Sequence, residues 1–312
     1  MATLIPEDFS DRTVFADRIV EIYGESDAKR IFEALATSGG LVCYWPNPLR
    51  QGGQELKLPG RPLHNGLTLR WCDDRSLITQ SEAAAKGQIY VQSASSFYAV
   101  EMLDLRENME VLDLSAAPGG KTIAMAARMN NTGRIAAVEP IARRFHRLRA
   151  NVERCGVTNV DFYQRDGRGV GRAVPERFER VLLDTPCSSE ARIRWDNPLT
   201  YRHWRLKKLK ETQRKQKALI MSAFQALKPG GVLVYCTCSF APEENELVMA
   251  HLLRRTDAEI DPLTTKVEGI PLRPGLTRWR RRQMPDALAG TLRIFPDTPW
   301  DGFYIARVRK PA

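Results

Sequence analysis

Beyond residue 85, short apolar runs alternate along the chain with longer stretches whose apolar residues recur at helical spacing. Apolar runs of about four to eight residues predict buried strands, and the longer periodic stretches predict amphipathic helices. The predicted helices and strands alternate through the segments "SSFYAVEML", "MEVLDLSAA", "GGKTIAMAARM", "GRIAAVEP", "ARRFHRLRANVERCG", "NVDFYQRD" and "FERVLLDTP". Strands separated by helices favour a parallel sheet with helices on both faces. We therefore predict an α/β fold with a Rossmann-like doubly wound sheet.

The pattern continues with a strongly basic helical stretch, "LKKLKETQRKQKALIMSAFQAL", ended by "KPGG", and then the strand "VLVYCTCSF". Pro242 is followed by acidic residues, which is typical of a helix N-terminus, so the next helix is predicted to begin there. The tail from Gly290 predicts two strands around a turn, an antiparallel hairpin that closes the edge of the sheet.

The first part of the chain lacks this regular alternation. Helical spacing from Asp27 to Thr37 is followed by glycines and prolines that cluster from Pro46 to Gly66. We expect a small N-terminal α+β domain at residues 1–85 and a catalytic domain at residues 86–312.

Composition narrows the range of partners. The formal charge of +10 and a pI near 9.5 over 312 residues favour a polyanionic partner. The sequence starts without a basic and apolar leader pattern, and no apolar run reaches the length of a membrane span, so we expect a cytoplasmic protein with no membrane contact. Six irregularly spaced cysteines are expected to be free thiols. We expect a monomer.

A turn of small residues, "DLSAAPGGKT", leads from a predicted strand into a helix, where backbone amides can approach a ligand closely. A phosphate loop needs glycine where Ser115 stands, and the dinucleotide pattern is absent as well. A nucleoside ligand such as S-adenosylmethionine then fits best. The residues predicted to hold it are Ser115, Ala116, Ala117, Pro118, Gly119, Gly120 and Lys121.

Acidic residues end the next two predicted strands. Glu139 is placed to accept hydrogen bonds from ribose hydroxyls, and Asp166 to accept one from an adenine amino group. The alternative for each is a helix cap, a common use of an acid at this position.

Two cysteines follow the ends of predicted strands, Cys187 in "LLDTPCSSE" and Cys238 in "VYCTCSF". If these strands are neighbours in the sheet, the two thiols approach each other beside the cofactor. No second cysteine pair or paired histidines lies at zinc spacing, so we predict no metal site.

Two thiols beside a methyl donor suggest covalent chemistry on cytosine. Attack by a thiolate at C6 makes C5 nucleophilic enough to take a methyl group, after which loss of the C5 proton releases the thiol. Spacing does not decide which cysteine attacks. Asp184, three residues before Cys187, is placed to bind the cytosine edge, with a structural role in the loop as the alternative.

The motifs "DLSAAPGGKT", "DTPCSSE", "LKPGGVLVYCTCSF" with "PEENE", and "GFYIARVRK" resemble, in this order, the Sun/Fmu (NOL/Nop/Sun-type) family of RNA cytosine-5 methyltransferases. The resemblance runs from Gln88 to the C-terminus. It implies that Cys238 is the nucleophile, that Cys187 assists release of the methylated base, that Lys121 lies at the active site and that Asp184 also contacts cytosine and cofactor. It also supports ribose and adenine contacts for Glu139 and Asp166.

The chain departs from that family where "PCSSEARIR" replaces a glycine-containing loop, and where Ser115 replaces a frequent cysteine. The segment after Cys187 interleaves aromatic and basic residues, a composition typical of single-stranded RNA binding. The residues predicted to contact RNA are Arg192, Arg194, Trp195, Tyr201 and Trp204.

These observations together predict an S-adenosylmethionine-dependent RNA cytosine-C5 methyltransferase. The expected substrate is ribosomal RNA, free or in a ribosomal subunit or assembly particle, and tRNA is the second choice. A non-catalytic RNA-binding assembly factor that retains the fold is the alternative from a different class.

Overall fold

The computed structural model describes residues 4–37, 41–51, 58–63, 67–263 and 269–312. The α-helices of these residues are α1 (Arg12–Thr37), α2 (Arg75–Thr79), α3 (Glu82–Ala85), α4 (Ala94–Glu101), α5 (Gly120–Arg128), α6 (Ala142–Arg154), α7 (Val170–Ala173), α8 (Leu206–Ala226) and α9 (Glu246–Leu253). The first strands are β1 (Val42–Pro46), β2 (Arg61–Pro62), β3 (Arg70–Cys72), β4 (Ile89–Val91), β5 (Glu110–Asp113), β6 (Arg134–Val138), β7 (Val160–Tyr163) and β8 (Phe178–Asp184). The later strands are β9 (Leu227–Thr237), β10 (Glu259–Ile260), β11 (Leu272–Pro274), β12 (Arg278–Trp279), β13 (Arg282–Gln283), β14 (Leu292–Ile294) and β15 (Phe303–Arg309).

The central sheet has the strand order β11-β14-β15-β9-β8-β5-β6-β7, with β10 paired to β15. Strands β9, β8, β5, β6 and β7 are parallel, whereas β15 runs antiparallel to β9. This mixed α/β sheet confirms the predicted fold class. Because β5, β8 and β9 are neighbours, the loops that follow their carboxyl ends meet at one edge of the sheet.

Both faces of the sheet are covered. Alternate residues of one strand belong to different cores: Leu182 packs in the larger cluster and Leu183 in the smaller one. The amphipathic helix α8 buries Ile220, Ala223 and Phe224 in the smaller cluster. Burial on both faces explains why the strands read as continuous apolar runs.

A second, antiparallel sheet has the order β2-β3-β1-β4. Its last strand, β4, lies beyond the predicted boundary at Ala85, and the larger cluster contains residues from Ile5 to Ile305. The N-terminal segment therefore shares its core with the rest of the chain. The division at residue 85 stays a prediction.

Three details differ from the sequence prediction. Helix α9 begins at Glu246 and not at Pro242, because Pro242 and the next three residues form a turn in which Asn245 has non-helical dihedral angles. Strand β9 already includes the "KPGG" segment. The predicted hairpin of β14 and β15 exists, but β11 pairs outside β14 and forms the edge.

Candidate active site

The loop between β5 and α5 borders a cleft of about 470 Å³. Gly119 has φ +108°, a conformation that side chains rarely adopt, and a Cβ on Gly120 would approach the Tyr90 ring to 2.9 Å. The two glycines thus let the chain turn into α5 while packed against its neighbours. The loop residues that line the cleft are Ser115, Ala116, Ala117, Pro118, Gly120 and Lys121.

Lys121 and Asp184 form an ion pair on the wall of this cleft. The Lys121 Nζ donates to Asp184 Oδ2 and to Ser96 Oγ, each at 2.6 Å. Burial disfavours the charged ammonium, but attraction to Asp184 outweighs it and the pKa of Lys121 lies above its usual value. Asp184 Oδ1 accepts a hydrogen bond from the Cys236 thiol at 3.7 Å, and burial keeps the pKa of that thiol well above its ordinary range.

Asp113 is a cleft residue that sequence reasoning missed. It ends β5 and is buried, and its Oδ2 accepts from Thr122 Oγ1 at 2.7 Å. Its Oδ1 has no hydrogen-bond partner within the described part of the chain. Burial raises the pKa of Asp113 to about 7. Its position directly before the small-residue loop is the sequence signal that would have identified it as a cleft residue.

The two predicted cysteines lie together at the carboxyl ends of β8 and β9. Their Sγ atoms are 3.4 Å apart, and Asp184 and Cys236 are paired in the parallel register just before them. A hydrogen bond from Cys187 lowers the pKa of Cys238 to about 6; the nearby Arg192 charge acts in the same direction, and burial opposes both. The same contact raises the pKa of Cys187. The Arg192 charge, which acts most strongly on Cys238, thus favours the thiolate on that sulfur.

The segment after Cys238, "PEENE", is held by polar contacts to distant parts of the fold. Glu243 accepts from Arg18 Nη2 at 2.6 Å, and Glu246 forms a buried ion pair with Arg293 at 2.6 Å. Asn245 accepts from Thr237 Oγ1 at 2.6 Å. These bonds fix the course of the chain between β9 and α9.

Glu139 and Asp166 follow β6 and β7 at the same sheet edge but do not line the cleft. Glu139 is buried, accepts from the Ile141 amide at 3.0 Å and lies 3.5 Å from Arg144. Asp166 caps the short helical turn at Gly167–Gly169 and pairs with Arg168 at 2.6 Å. Asp166 thus has the capping contact of the alternative interpretation, whereas Glu139 bonds the amide of Ile141, which lies before the first turn of α6, and is not a helix cap.

The prediction of an aromatic RNA-stacking surface is not supported by where the rings lie. Tyr201 and Trp204 are buried, and Trp195 is half-buried with its Nε1 donating to the Phe32 carbonyl at 2.9 Å. The rings of Tyr201 and Trp204 contact Phe9 with centroids 5.2 and 5.7 Å apart. Their aromatic faces are thus occupied by the N-terminal segment, a contact that the local sequence does not reveal.

The predicted basic residues do reach the cleft. Arg192 and Arg194 both line it, and Arg194 donates to Asp301 at 3.0 Å. Arg75 of α2, which sequence reasoning did not select, lies on the same rim and makes no ion pair with any described residue. Helix α2 therefore contributes a positive charge to the rim of the cleft.

The central sheet, the glycine loop after β5 and the thiol pair beside it define a Rossmann-like methyltransferase. The chain belongs to the family described as 16S rRNA methyltransferase RsmB/F, whose profile matches residues 100–309.

Curated relatives carry the same description. The chain is 41% identical over 308 residues to ribosomal RNA small subunit methyltransferase F of Vibrio vulnificus (strain YJ016), covering 91% of this chain and 62% of the relative. It is 39% identical over 256 residues to the protein of that name from Escherichia coli O139:H28, covering 77% of this chain and 50% of the relative. The chain thus spans between half and two thirds of these relatives.

Among solved structures, a methyltransferase homolog protein from Pyrococcus horikoshii superposes with a TM-score of 0.82 and 31% identity, covering 98% of this chain and 99% of that chain. The similarity therefore includes the N-terminal segment as well as the central sheet. In the described residues, no helix is long and apolar enough to cross a membrane.

Proposed function

We propose that this protein is an S-adenosylmethionine-dependent RNA cytosine-C5 methyltransferase that acts on small-subunit ribosomal RNA. One observation carries the proposal: two thiols with Sγ atoms 3.4 Å apart lie beside the Lys121–Asp184 pair at the end of the cleft-bordering strands. The hydrogen bond from Cys187 and the nearby Arg192 charge lower the pKa of Cys238, which suits an attacking thiol.

The cleft fits the cofactor. Its loop offers backbone amides at the start of α5, and Asp113 offers an unpartnered buried oxygen that suits a cationic or hydrogen-bonding group. When bound, S-adenosylmethionine supplies an electrophilic methyl group. Glu139 and Asp166 stay proposed ribose and adenine contacts because they follow β6 and β7, the two successive strands beside β5, at the same edge of the sheet.

In the proposed mechanism the Cys238 thiolate attacks C6 of cytosine, forming an S–C6 bond and placing electron density on C5 and N3. Asp184 binds the cytosine edge, and the Lys121 ammonium holds that carboxylate and is a proton source for it. After C5 is methylated, a base takes the C5 proton, the C5–H electron pair forms the C5=C6 double bond, and the S–C6 electron pair returns to the Cys238 sulfur. We assign assistance in this release to Cys187, because its sulfur touches that of Cys238.

We propose that RNA enters over the rim formed by Arg75, Arg192 and Arg194. A second cleft of about 320 Å³ adjoins the first and shares Arg75, Arg194 and Asp301 with it. One wall of the second cleft comes from β1 and β4, which gives the N-terminal segment a part in RNA binding. Single-stranded RNA is bound by basic grooves of this kind, and a base must leave its stack before it can react.

The substrate is proposed from the relatives, whose names refer to small-subunit ribosomal RNA. The second candidate is tRNA, since the chemistry is the same on either RNA. The non-catalytic alternative is disfavoured because the set of Lys121, Asp184, Cys187 and Cys238 is complete: the first two line the cleft, and the two thiols touch each other after the neighbouring strands β8 and β9.

The test is incubation of the protein with methyl-labelled S-adenosylmethionine and ribosomal RNA, small subunits or tRNA from cells that lack the protein. We expect label in 5-methylcytidine after digestion of one ribosomal pool, and none with a Cys238→Ala variant. Label only in tRNA would identify tRNA and not ribosomal RNA as the substrate. Cofactor binding without label in any pool would favour the non-catalytic role.

A further inference from the structure

The two loops that carry the cysteines exchange buried carboxylates. Glu190, in the loop of Cys187, accepts at Oε2 from Phe240 N at 2.9 Å and from Ser239 Oγ at 3.1 Å, both in the loop of Cys238. In the opposite direction, Glu244 accepts from Ser188 N at 3.0 Å and contacts Ser188 Oγ at 2.5 Å. Both carboxylates are buried. Each loop is therefore held by an acid from the other.

The serines involved directly follow the two cysteines, and they also touch each other. Ser188 Oγ and Ser239 Oγ are 3.0 Å apart, so one line of oxygens runs from Glu244 through Ser188 and Ser239 to Glu190. This line connects the same two loops as the contact between the sulfurs.

If both acids are ionised, this line of oxygens is one proton short. It contains three oxygen–oxygen contacts, and each contact needs one proton, but the two hydroxyls supply only two. With both acids ionised, two oxygens that both lack a proton would face each other in a buried setting, which is costly. The third proton must come from a carboxyl group.

The remaining donors indicate which acid carries it. Glu190 accepts from Trp204 Nε1 at Oε1 and from Phe240 N at Oε2, so an N–H group points at each oxygen. Glu244 also faces two N–H groups, but neither requires Oε2: the Ser188 amide lies 3.0 Å from both oxygens, and Gln216 donates to Oε1 at 3.3 Å. Oε1 can therefore accept both, which leaves Oε2 with the short contact to Ser188 Oγ. The proton therefore fits on Glu244 Oε2. Burial raises the pKa of both acids, that of Glu244 to about 7, as expected for a buried pair that retains a proton.

We propose that Glu190 and Glu244 hold one proton between them through Ser188 and Ser239, with Glu190 ionised and Glu244 neutral, and that they are the positioning residues that keep the Cys187 and Cys238 sulfurs in contact. The link to methyl transfer rests on the proposed function, but the proton count and the thiol contact do not. Glu190 stands in the segment that departs from the family's glycine-containing loop. The shared proton therefore depends on a residue of this divergent segment.

The proposal predicts unequal effects of two chemically identical substitutions. A glutamine at 244 donates to Ser188 Oγ and accepts the Ser188 amide, as the neutral acid does. A glutamine at 190 turns an amide N–H group toward another donor, either Phe240 N or Trp204 Nε1. Glu244→Gln should therefore preserve the thiol contact, whereas Glu190→Gln and Glu244→Ala should break it.

The measurement is the pH dependence of Cys238 alkylation by iodoacetamide in the full chain, read by mass spectrometry of the labelled peptides. We expect Glu244→Gln to keep the wild-type midpoint. Glu190→Gln and Glu244→Ala should move it toward the ordinary thiol value of about 8.5 and slow alkylation at pH 7 about tenfold or more. Glu243→Gln is the matched control, since Glu243 is next in sequence and its side chain bonds Arg18 and Trp279 and not the serines of the thiol loops; it should lower thermal stability without moving the midpoint.

Equal midpoints for Glu190→Gln and Glu244→Gln would overturn the proposal, as would a Glu244→Gln midpoint as high as that of Glu244→Ala. Because alkylation needs neither RNA nor cofactor, the result is independent of the labelling experiment. The expected midpoints together with absent methyl transfer would reject the proposed function and leave the shared proton in place.

Discussion

The Lys121 ammonium and the Asp184 carboxylate meet at 2.6 Å, although α5 and β8 bring them from distant parts of the chain. The pair is asymmetric, because Lys121 is 7% exposed and Asp184 32%. A charge that loses its partner costs more where water does not reach it. Each residue should therefore respond differently to loss of the other.

We expect Asp184→Asn to destabilise the protein by about 2 kcal/mol or more, because it leaves a buried ammonium without its counter-charge. Lys121→Met should cost less, since water reaches the remaining carboxylate. Urea unfolding measures both. The double variant should be more stable than Asp184→Asn alone, and the reverse order of the two single variants would contradict this interpretation.

Variants that lack one of the two cysteines should be blocked at different stages of the reaction. Cys238→Ala should abolish methyl transfer while cofactor binding persists, because it lacks the attacking sulfur. Cys187→Ala should still attack but stall at release, so that an RNA adduct accumulates and survives denaturing gel electrophoresis. Cys155→Ala is the control, since this buried thiol lies at the end of α6 and not in the loops that follow β8 and β9. Turnover by Cys238→Ala would transfer the nucleophile's role to Cys187.

Asp113 should make stability depend on pH. Its pKa in the folded protein, about 7, exceeds its ordinary value of 3.8, so the folded state holds the proton more tightly than the unfolded chain does. This contribution is complete below about pH 4 and is lost as the pH rises through 7, at most about 4 kcal/mol in all. Denaturant unfolding from pH 4 to 8 should show the decline, and Asp113→Asn should flatten it.

Binding of the cofactor should change the ionisation of Asp113. S-adenosylmethionine carries a sulfonium and an ammonium charge, which favour an ionised neighbour. Binding near pH 7 should release a proton, so calorimetric heats should differ between phosphate and Tris buffers. Equal heats in the two buffers, or a difference that persists in Asp113→Asn, would remove Asp113 from the proposed cofactor site.

Arg75 should contribute to RNA affinity through charge alone. Loss of one phosphate contact lowers the slope of log affinity against log salt by about 1. We expect this change for Arg75→Ala in fluorescence anisotropy with labelled RNA. Arg147→Ala, an exposed arginine of α6 that lines neither cleft, should leave the slope unchanged. Equal losses in both variants would indicate a general effect of net charge.

The sequence predicted well those features that follow from chain order. The approach of Cys187 to Cys238 was predictable because parallel neighbours end at one edge of a sheet, and the structure brings the sulfurs to 3.4 Å. The aromatic residues were misjudged because Tyr201 and Trp204 stand among arginines in the sequence, whereas their packing partner Phe9 comes from the far N-terminal part of the chain. The contact between Lys121 and Asp184 likewise depends on tertiary packing.

The start of α9 shows a further limit of local patterns. Proline followed by acids is a common start of a helix. Here, however, the side chains of Glu243, Glu244 and Asn245 are hydrogen-bonded to Arg18, Ser188 and Thr237, respectively. Such contacts favour a turn over helix, and nothing in the local sequence announces them.

The aromatic contacts of the N-terminal segment bear on how the protein can be divided. Trp204 packs on Phe9 and Phe15 and also donates to Glu190 at 2.9 Å, so the first residues of the chain support a loop that carries a cysteine. A fragment that starts at residue 86 would expose these rings to water and loosen that loop. A shortened protein made to study the chemistry alone should therefore retain α1. An exchange of segments between relatives should transfer the N-terminal segment and the loop of Cys187 together.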